Sequence, residues 1–214
     1  MSAYFPDQPA QGDSNGISRL PKDLRRQQLI SNAARVFASQ GYHCTTMDHI
    51  ASASQVTKPV LYQHFTGKRD LYLAVLDEQI ELLLTNLVSP LHGTNVNKER
   101  VKGVIEAFFN FARTNVVGYR IIFESDIQTD FAVQERIESM HTRIAEHIAY
   151  VLAPNAGMDF SEAMMTARML TGMTQAAAHM VVGTETSAEQ LALAERAVFR
   201  LAWGGISIID EDWE

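Results

Sequence analysis

The sequence predicts an all-α protein in two parts, on three observations. Apolar residues recur at helical spacing through long stretches. No segment alternates apolar and polar residues as a half-buried strand would. Charge is divided unevenly: residues 19–69 carry net +6 and residues 71–214 carry net −10, within a total of −7. The 214 residues are 46% apolar and 20% charged, a globular composition long enough to bury a sizeable core. The chain divides on this reading into an N-terminal arm (1–18), a small basic unit (19–69) and a large acidic helical body (70–214). A basic unit joined to an acidic body suits a polyanion partner for the first and another task for the second, although solvated surface clusters the same way.

Taken in order, residues 1–18 hold Pro6, Pro9, Gly12 and Gly16 among small polar residues, and predict a flexible arm whose end is basic with Arg19, Lys22, Arg25 and Arg26. From Leu24 the positions Ile30, Ala33, Ala34 and Phe37 mark one helix face, and Gly41 stops the run. Thr45 is expected to cap a short second helix, with Asp48 as its capping-box partner and Met47, Ile50 and Ala51 inside. Thr57 is expected to cap a third, with Pro59 in its first turn, where a missing amide hydrogen costs little. Lys68 opens a long fourth helix carrying Leu71, Leu73, Val75, Leu76, Ile80 and Leu83. Further helices are expected near 98–115, 118–126, 131–152, 160–183 and 187–201. Breaks fall at Pro90 to Gly93, Pro154 to Gly157 and Gly183-Thr184.

Several classes are disfavoured. A lone cysteine, Cys44, leaves no intrachain disulfide framework and suits the reducing cytoplasm, where we expect the protein. The N-terminus lacks the pattern of a signal peptide. The longest apolar stretch, 201–209, is too short to cross a bilayer, so no membrane role is expected. No Gly-x-Ser-x-Gly elbow, phosphate-binding glycine loop or His-Glu-x-x-His occurs, and we expect no enzyme, metal or cofactor. Glu138 and His141 have the spacing of one half of a carboxylate-bridged metal site, but such a site needs a second copy and further glutamates.

The informative stretch is 45–70, T-T-M-D-H-I-A-S-A-S-Q-V-T-K-P-V-L-Y-Q-H-F-T-G-K-R-D. Two short helices with a tight link, and Thr57-Lys58 opening the second, form a helix-turn-helix. Such a helix can enter the major groove of double-stranded DNA, its amino end favouring phosphate. Tyr62 and His64 can donate to flanking phosphates, and Lys68 can grip another.

Thr45-Thr46-Met47, Ile50-Ala51, Val56-Thr57-Lys58, Leu61-Tyr62, His64-Phe65, Lys68 and Leu71 resemble the signature of the TetR family of transcriptional regulators. The resemblance implies phosphate contacts at Thr46, Tyr62, His64 and Lys68, and groove-facing roles for Thr57, Lys58, Pro59 and Val60. It implies a homodimer on a palindromic operator. Two positions depart from the pattern. Gln55 replaces the usual glycine of the turn, at a cost of up to ~1 kcal/mol if φ is positive. Gly67 replaces the usual serine cap, with Thr66 as a substitute.

The acidic body then becomes the expected sensor. Phe108, Phe109 and Phe123, with Met164, Leu170 and Met173, are the candidate ligand-binding residues of an apolar tunnel between helices, although the same stripes also fit ordinary core. Segments 19–23, 41–43, 58–65, 71–76, 118–124 and 202–205 are similar to the family's actinobacterial regulators of fatty-acid synthesis. That likeness implies long-chain acyl-CoA as effector, with Arg113, Arg120 or Arg168 near its anionic head. A repressor of an efflux or catabolic operon, sensing another apolar small molecule, is the alternative. Gly172, Ala176 to Ala178, Leu191, Ala194, Val198 and Leu201 are expected to form the subunit interface.

Overall fold

The structure, a computed structural model, describes residues 21–181 and 187–207. The arm expected over 1–18, Arg19 and the break at Gly183-Thr184 lie outside the described residues. Among the described residues the protein is all-α, with helices α1 (Lys22–Gln40), α2 (Met47–Ala53), α3 (Lys58–Tyr62), α4 (Lys68–His92), α5 (Asn97–Thr114), α6 (Val116–Phe123), α7 (Phe131–Asn155), α8 (Phe160–Val181) and α9 (Ala188–Ile206).

The N-terminal unit forms because three short apolar faces converge. Leu29, Ile30, Ala33, Ala34 and Phe37 of α1 meet Met47, Ile50 and Ala51 of α2 and Leu61 of α3, all buried. Gly41 ends α1 at φ 77°, a left-handed conformation that favours glycine. The expected capping box is not made. Thr46, one residue on from Thr45, caps α2 by accepting the His49 N–H at 3.2 Å, while Thr45 is fully buried and donates to the Gly41 carbonyl at 2.7 Å. Asp48 turns outward to pair with Lys58 at 2.9 Å. Thr57 does hold the N-cap position of α3, but its side chain makes no capping bond. Gln55 adopts φ 54°, so the bend that usually carries glycine is here left-handed with a side chain.

Helix α4 belongs to both halves. Its first part packs Leu71, Tyr72, Val75 and Leu76 into the same core as α1, and its later part adds Leu83, Leu84 and Leu87 against the large body. The expected breaks at Pro90 and Pro154 fall inside the last turns of α4 and α7, where each proline forfeits one i→i−4 hydrogen bond just before the helix ends. Asp130 caps α7 through the Ala132 and Val133 amides, and Ser187 with Gln190 forms a capping box on α9. A second, smaller core of Ala149, Leu152, Ala156, Ala163 and Ile206 closes the far end of the body. No described helix is long and apolar enough to cross a membrane.

Candidate functional site

Most of the side chains expected to meet DNA are exposed on the helix-turn-helix. Thr57, Lys58 and Pro59 are exposed at the start of α3, Val60 is half-buried, and Tyr62 is 47% exposed. Thr46 is exposed at the start of α2. His64 is half-buried, and its Nδ1 is buried without a partner. Burial, then Lys22, Arg26 and Arg25, hold the His64 pKa below its ordinary value. Those cations occupy the first turns of α1 and extend the positive edge beside α3. Lys58 is shared with Asp48, which raises the ammonium's pKa.

Lys68 has a different position from the one expected. Its ammonium turns inward, donating to the Tyr42 and Thr45 carbonyls at 2.8 Å each, with the His43 carbonyl at 3.5 Å. It also lies 4.3 Å from the centre of the Tyr42 ring. These acceptors take up its donors, so gripping a phosphate would require breaking them. Lys68 ties α4 to the loop between α1 and α2.

That loop is the junction between the halves, and the residues that make it were not singled out from sequence. The Asp126 carboxylate accepts the Tyr42 and His43 amides at 2.7 and 3.1 Å, and His43 Nε2 lies 3.2 Å from the Asp126 carbonyl. Burial pushes the Asp126 pKa up, but the amide donors outweigh it and leave the carboxyl below its ordinary value. Tyr72 donates to Ser125 Oγ at 2.6 Å and lies 3.2 Å from the Ile121 carbonyl. Burial pushes the Tyr72 phenol up to about 12. Arg69 grips Asp130 with two bonds of 2.8 Å. Each link joins residues 49 to 84 positions apart, which local patterns do not reveal.

The large body encloses a narrow apolar cavity of about 80 Å³ between α4, α5, α6, α7, α8 and α9. Of the expected ligand-binding residues, Phe108, Phe123 and Leu170 line it, with Leu87, Ile105, Met140 and Ile144. Three do not. Phe109 is 1% exposed in solid core, and Met164 and Met173 pack half-buried on other faces of α8. Inward positions on α8 are Leu170, Thr171, Thr174 and Gln175. The Thr171 and Thr174 hydroxyls bond back to the Ala167 and Leu170 carbonyls at 3.0 and 2.8 Å, so they add little polarity to the wall. One end of the cavity carries Asn97 and Arg100. Phe123, His141 and Gln175 also line a neighbouring open recess of about 350 Å³, so these three side chains stand between the two spaces. Burial, then Arg168, keeps the His141 pKa low against the opposing pull of Glu138.

The cations expected near an anionic head are variously placed. Arg168 pairs with Glu138 at the recess, 3.0 Å apart, with one buried guanidinium nitrogen unpartnered. Arg120 lies 3.8 Å from Glu124, and Arg113 bonds Asn110. Glu138 and His141 join no cluster of three metal-binding side chains among the described residues.

The outer face of α8 and α9 differs from the interface stripe expected. Val198 is 3% exposed inside the chain's own core, where Leu191 and Ala194 pack against it, and Ala178 is fully buried. Of the expected stripe Gly172, Ala176 and Leu201 are exposed, and Leu193 on α9 with Met165, Met169 and Met180 on α8 join Leu201 at more than 60% exposure. Gly172, Gly204 and Gly205 open onto free space.

Residues 29–75 match the bacterial regulatory proteins of the tetR family. The chain is 35% identical over 199 residues to the HTH-type transcriptional activator FasR of Mycolicibacterium smegmatis, covering 93% of this chain and 90% of that protein. It superposes on a TetR-like transcriptional regulator from Rhodococcus sp. RHA1 with a TM-score of 0.72 at 25% identity, over 88% of this chain and 99% of the other. It also superposes on FadR from Bacillus subtilis in complex with stearoyl-CoA, with a TM-score of 0.70 at 20% identity, over 84% and 98% of the two chains.

Proposed function

The chain belongs to the TetR family of bacterial regulatory proteins, and on that premise we propose that it controls fatty-acid synthesis genes, binding their operator as a homodimer and responding to long-chain acyl-CoA. The family and the FasR likeness make it a DNA-binding transcriptional regulator, not an enzyme. That a ligand tied to lipid metabolism acts on it is supported by FasR and by the stearoyl-CoA held in FadR's version of this fold.

The observation that carries the acyl-CoA reading is the cavity. It is apolar, narrow and lined by several helices, with Phe123, His141 and Gln175 between it and a neighbouring recess. A slim alkyl chain suits such walls better than a bulky aromatic compound. At about 80 Å³ the cavity is smaller than pockets that hold whole ligands, ~300–1,000 Å³, so entry of a long chain must push its walls apart. The head would lie in the neighbouring recess, with Arg168 as the cation at hand. On the DNA side, Thr57, Lys58, Pro59 and Val60 would face the groove, and Thr46, Tyr62 and His64, with Lys22, Arg25 and Arg26, would meet phosphates. The exposed face of α8 and α9 would join two subunits and so set the spacing of two recognition helices.

Titrating a labelled fatty-acid-synthase promoter fragment at fixed salt, with and without palmitoyl-CoA, tests the reading. Binding shifted by palmitoyl-CoA is the expected result. Binding indifferent to it would discard the ligand and keep the regulator, and absence of binding would discard the target genes.

A further inference from the structure

We propose that Asp126 is the positioning residue that carries movement of the cavity wall to the helix-turn-helix, by clasping the loop that leads into α2. The proposal rests on the effector-responsive reading above. Among the described residues, every other polar link from α5 to α9 toward the N-terminal half lands on α4: Arg69 to Asp130, Tyr72 to Ser125, Asp77 to Arg136, Gln79 to Asn115 and Glu81 to Arg143. Asp126 alone among them reaches past α4 to the DNA-binding unit itself.

The path from cavity to clasp is short and stiff. Phe123 lines the cavity and ends α6, its ring 5.8 Å from that of Phe108 and 5.0 Å from that of Tyr119. Its carbonyl accepts the Gln128 side-chain amide at 3.0 Å, and the Ile127 N–H lies 3.3 Å from Ser125 Oγ. Residues 123–128 are thus a turn bonded to itself and anchored by buried Ile127. A chain that displaces Phe123 must carry Asp126 with it.

The receiving side is equally tight. Asp126 holds the amides of Tyr42 and His43, while Lys68 holds the carbonyls of Tyr42 and Thr45. Thr45 bonds the Gly41 carbonyl, and the next residue, Thr46, caps α2. A shift of the loop therefore reaches the start of α2 and, through the shared core of Met47, Ile50 and Leu61, α3. The approach is close enough to constrain Gly41: a Cβ there would lie 2.8 Å from the Asp126 carboxylate.

The test uses the full-length dimer with Cys44→Ser and a spin label at Gln63→Cys, just past α3. The width of the label-to-label distance distribution reports how firmly the recognition helices are held. Asp126→Ala is compared with Arg143→Ala, which removes an α4–α7 ion pair but leaves the clasp. Asp126→Ala should broaden the distribution without ligand, and Arg143→Ala should not. The ratio of operator Kd with and without palmitoyl-CoA should fall from about 10-fold, typical of such coupling, to below about 2-fold in Asp126→Ala. Palmitoyl-CoA binding without DNA should stay within about 2-fold, because the clasp does not touch the cavity. A merely structural role would lower Tm in both variants and spare the ratio. Wild-type width together with a wild-type ratio in Asp126→Ala would overturn the proposal. A wild-type protein indifferent to palmitoyl-CoA would sink the acyl-CoA reading instead, and the ligand-free width would then decide: broadened supports the clasp, unchanged overturns it.

Discussion

Gln55 holds φ at 54° in the bend before α3, a conformation glycine adopts without the steric cost of a Cβ. Gln55→Gly should therefore stabilise the protein by up to about 1 kcal/mol, read as a Tm rise of about 2–4 °C in thermal unfolding. A lower Tm would mean that the Gln55 side chain contributes more than its backbone costs. Asp126 and Asp130 make a second prediction at this scale. The Tyr42 and His43 amides, against burial, depress the first carboxyl, and Arg69 depresses the second. Depressed carboxyls contribute stability that is present above the ordinary aspartate value of 3.8 and is lost as pH falls through the folded values. Tm should hold from pH 7 to about 5 and drop below about 4. Asp126→Asn should melt lower at pH 6, with the gap to wild type closing toward pH 3; a gap independent of pH would show that charge at this position is irrelevant.

Helices were legible in the sequence to within a few residues, because apolar spacing, caps and prolines are local signals. Which face of a helix turns inward was not. On α9, Leu191-Ala194-Val198 and Leu193-Ala197-Leu201 are both apolar at helical spacing, and only packing against α5 and α8 assigns the first to the core. On α8, Met164 and Met173 lie off the cavity, which takes Leu170, Gln175 and two threonines whose hydroxyls are bonded to their own helix. Thr57, Lys58, Pro59 and Tyr62, named from the motif, are exposed. The inward bonds of Lys68 were not legible, because its partners are backbone carbonyls, which no side-chain pattern announces. The α8 assignment predicts opposite outcomes for neighbours. Leu170→Phe should fill the cavity and weaken palmitoyl-CoA binding by about 10-fold or more with operator affinity kept, an overpacking cost of ~1–3 kcal/mol. Met173→Ala should leave that binding near wild type in the same calorimetric titration, and the reverse pattern would refute the assignment.

For the whole molecule, the positive unit and the negative body keep the charges that meet DNA apart from the surfaces that meet a second subunit. Leu201→Glu would put a carboxylate into the apolar face of α8 and α9. It should yield monomers in sedimentation and lower operator affinity by about 100-fold, the scale of an unpaired charge buried at an interface. A dimer that persists would move the interface elsewhere. The tightness of the cavity has one more consequence. Parting its walls carries a cost fixed by the protein, whereas the gain from an alkyl occupant grows by about 0.8 kcal/mol with each methylene buried. Short chains fall below that cost and long ones exceed it steeply, since two added carbons change the balance by roughly 15-fold. If acyl-CoA is its effector, such a molecule would measure length, ignoring an abundant pool of short acyl groups and answering to a small amount of finished long ones.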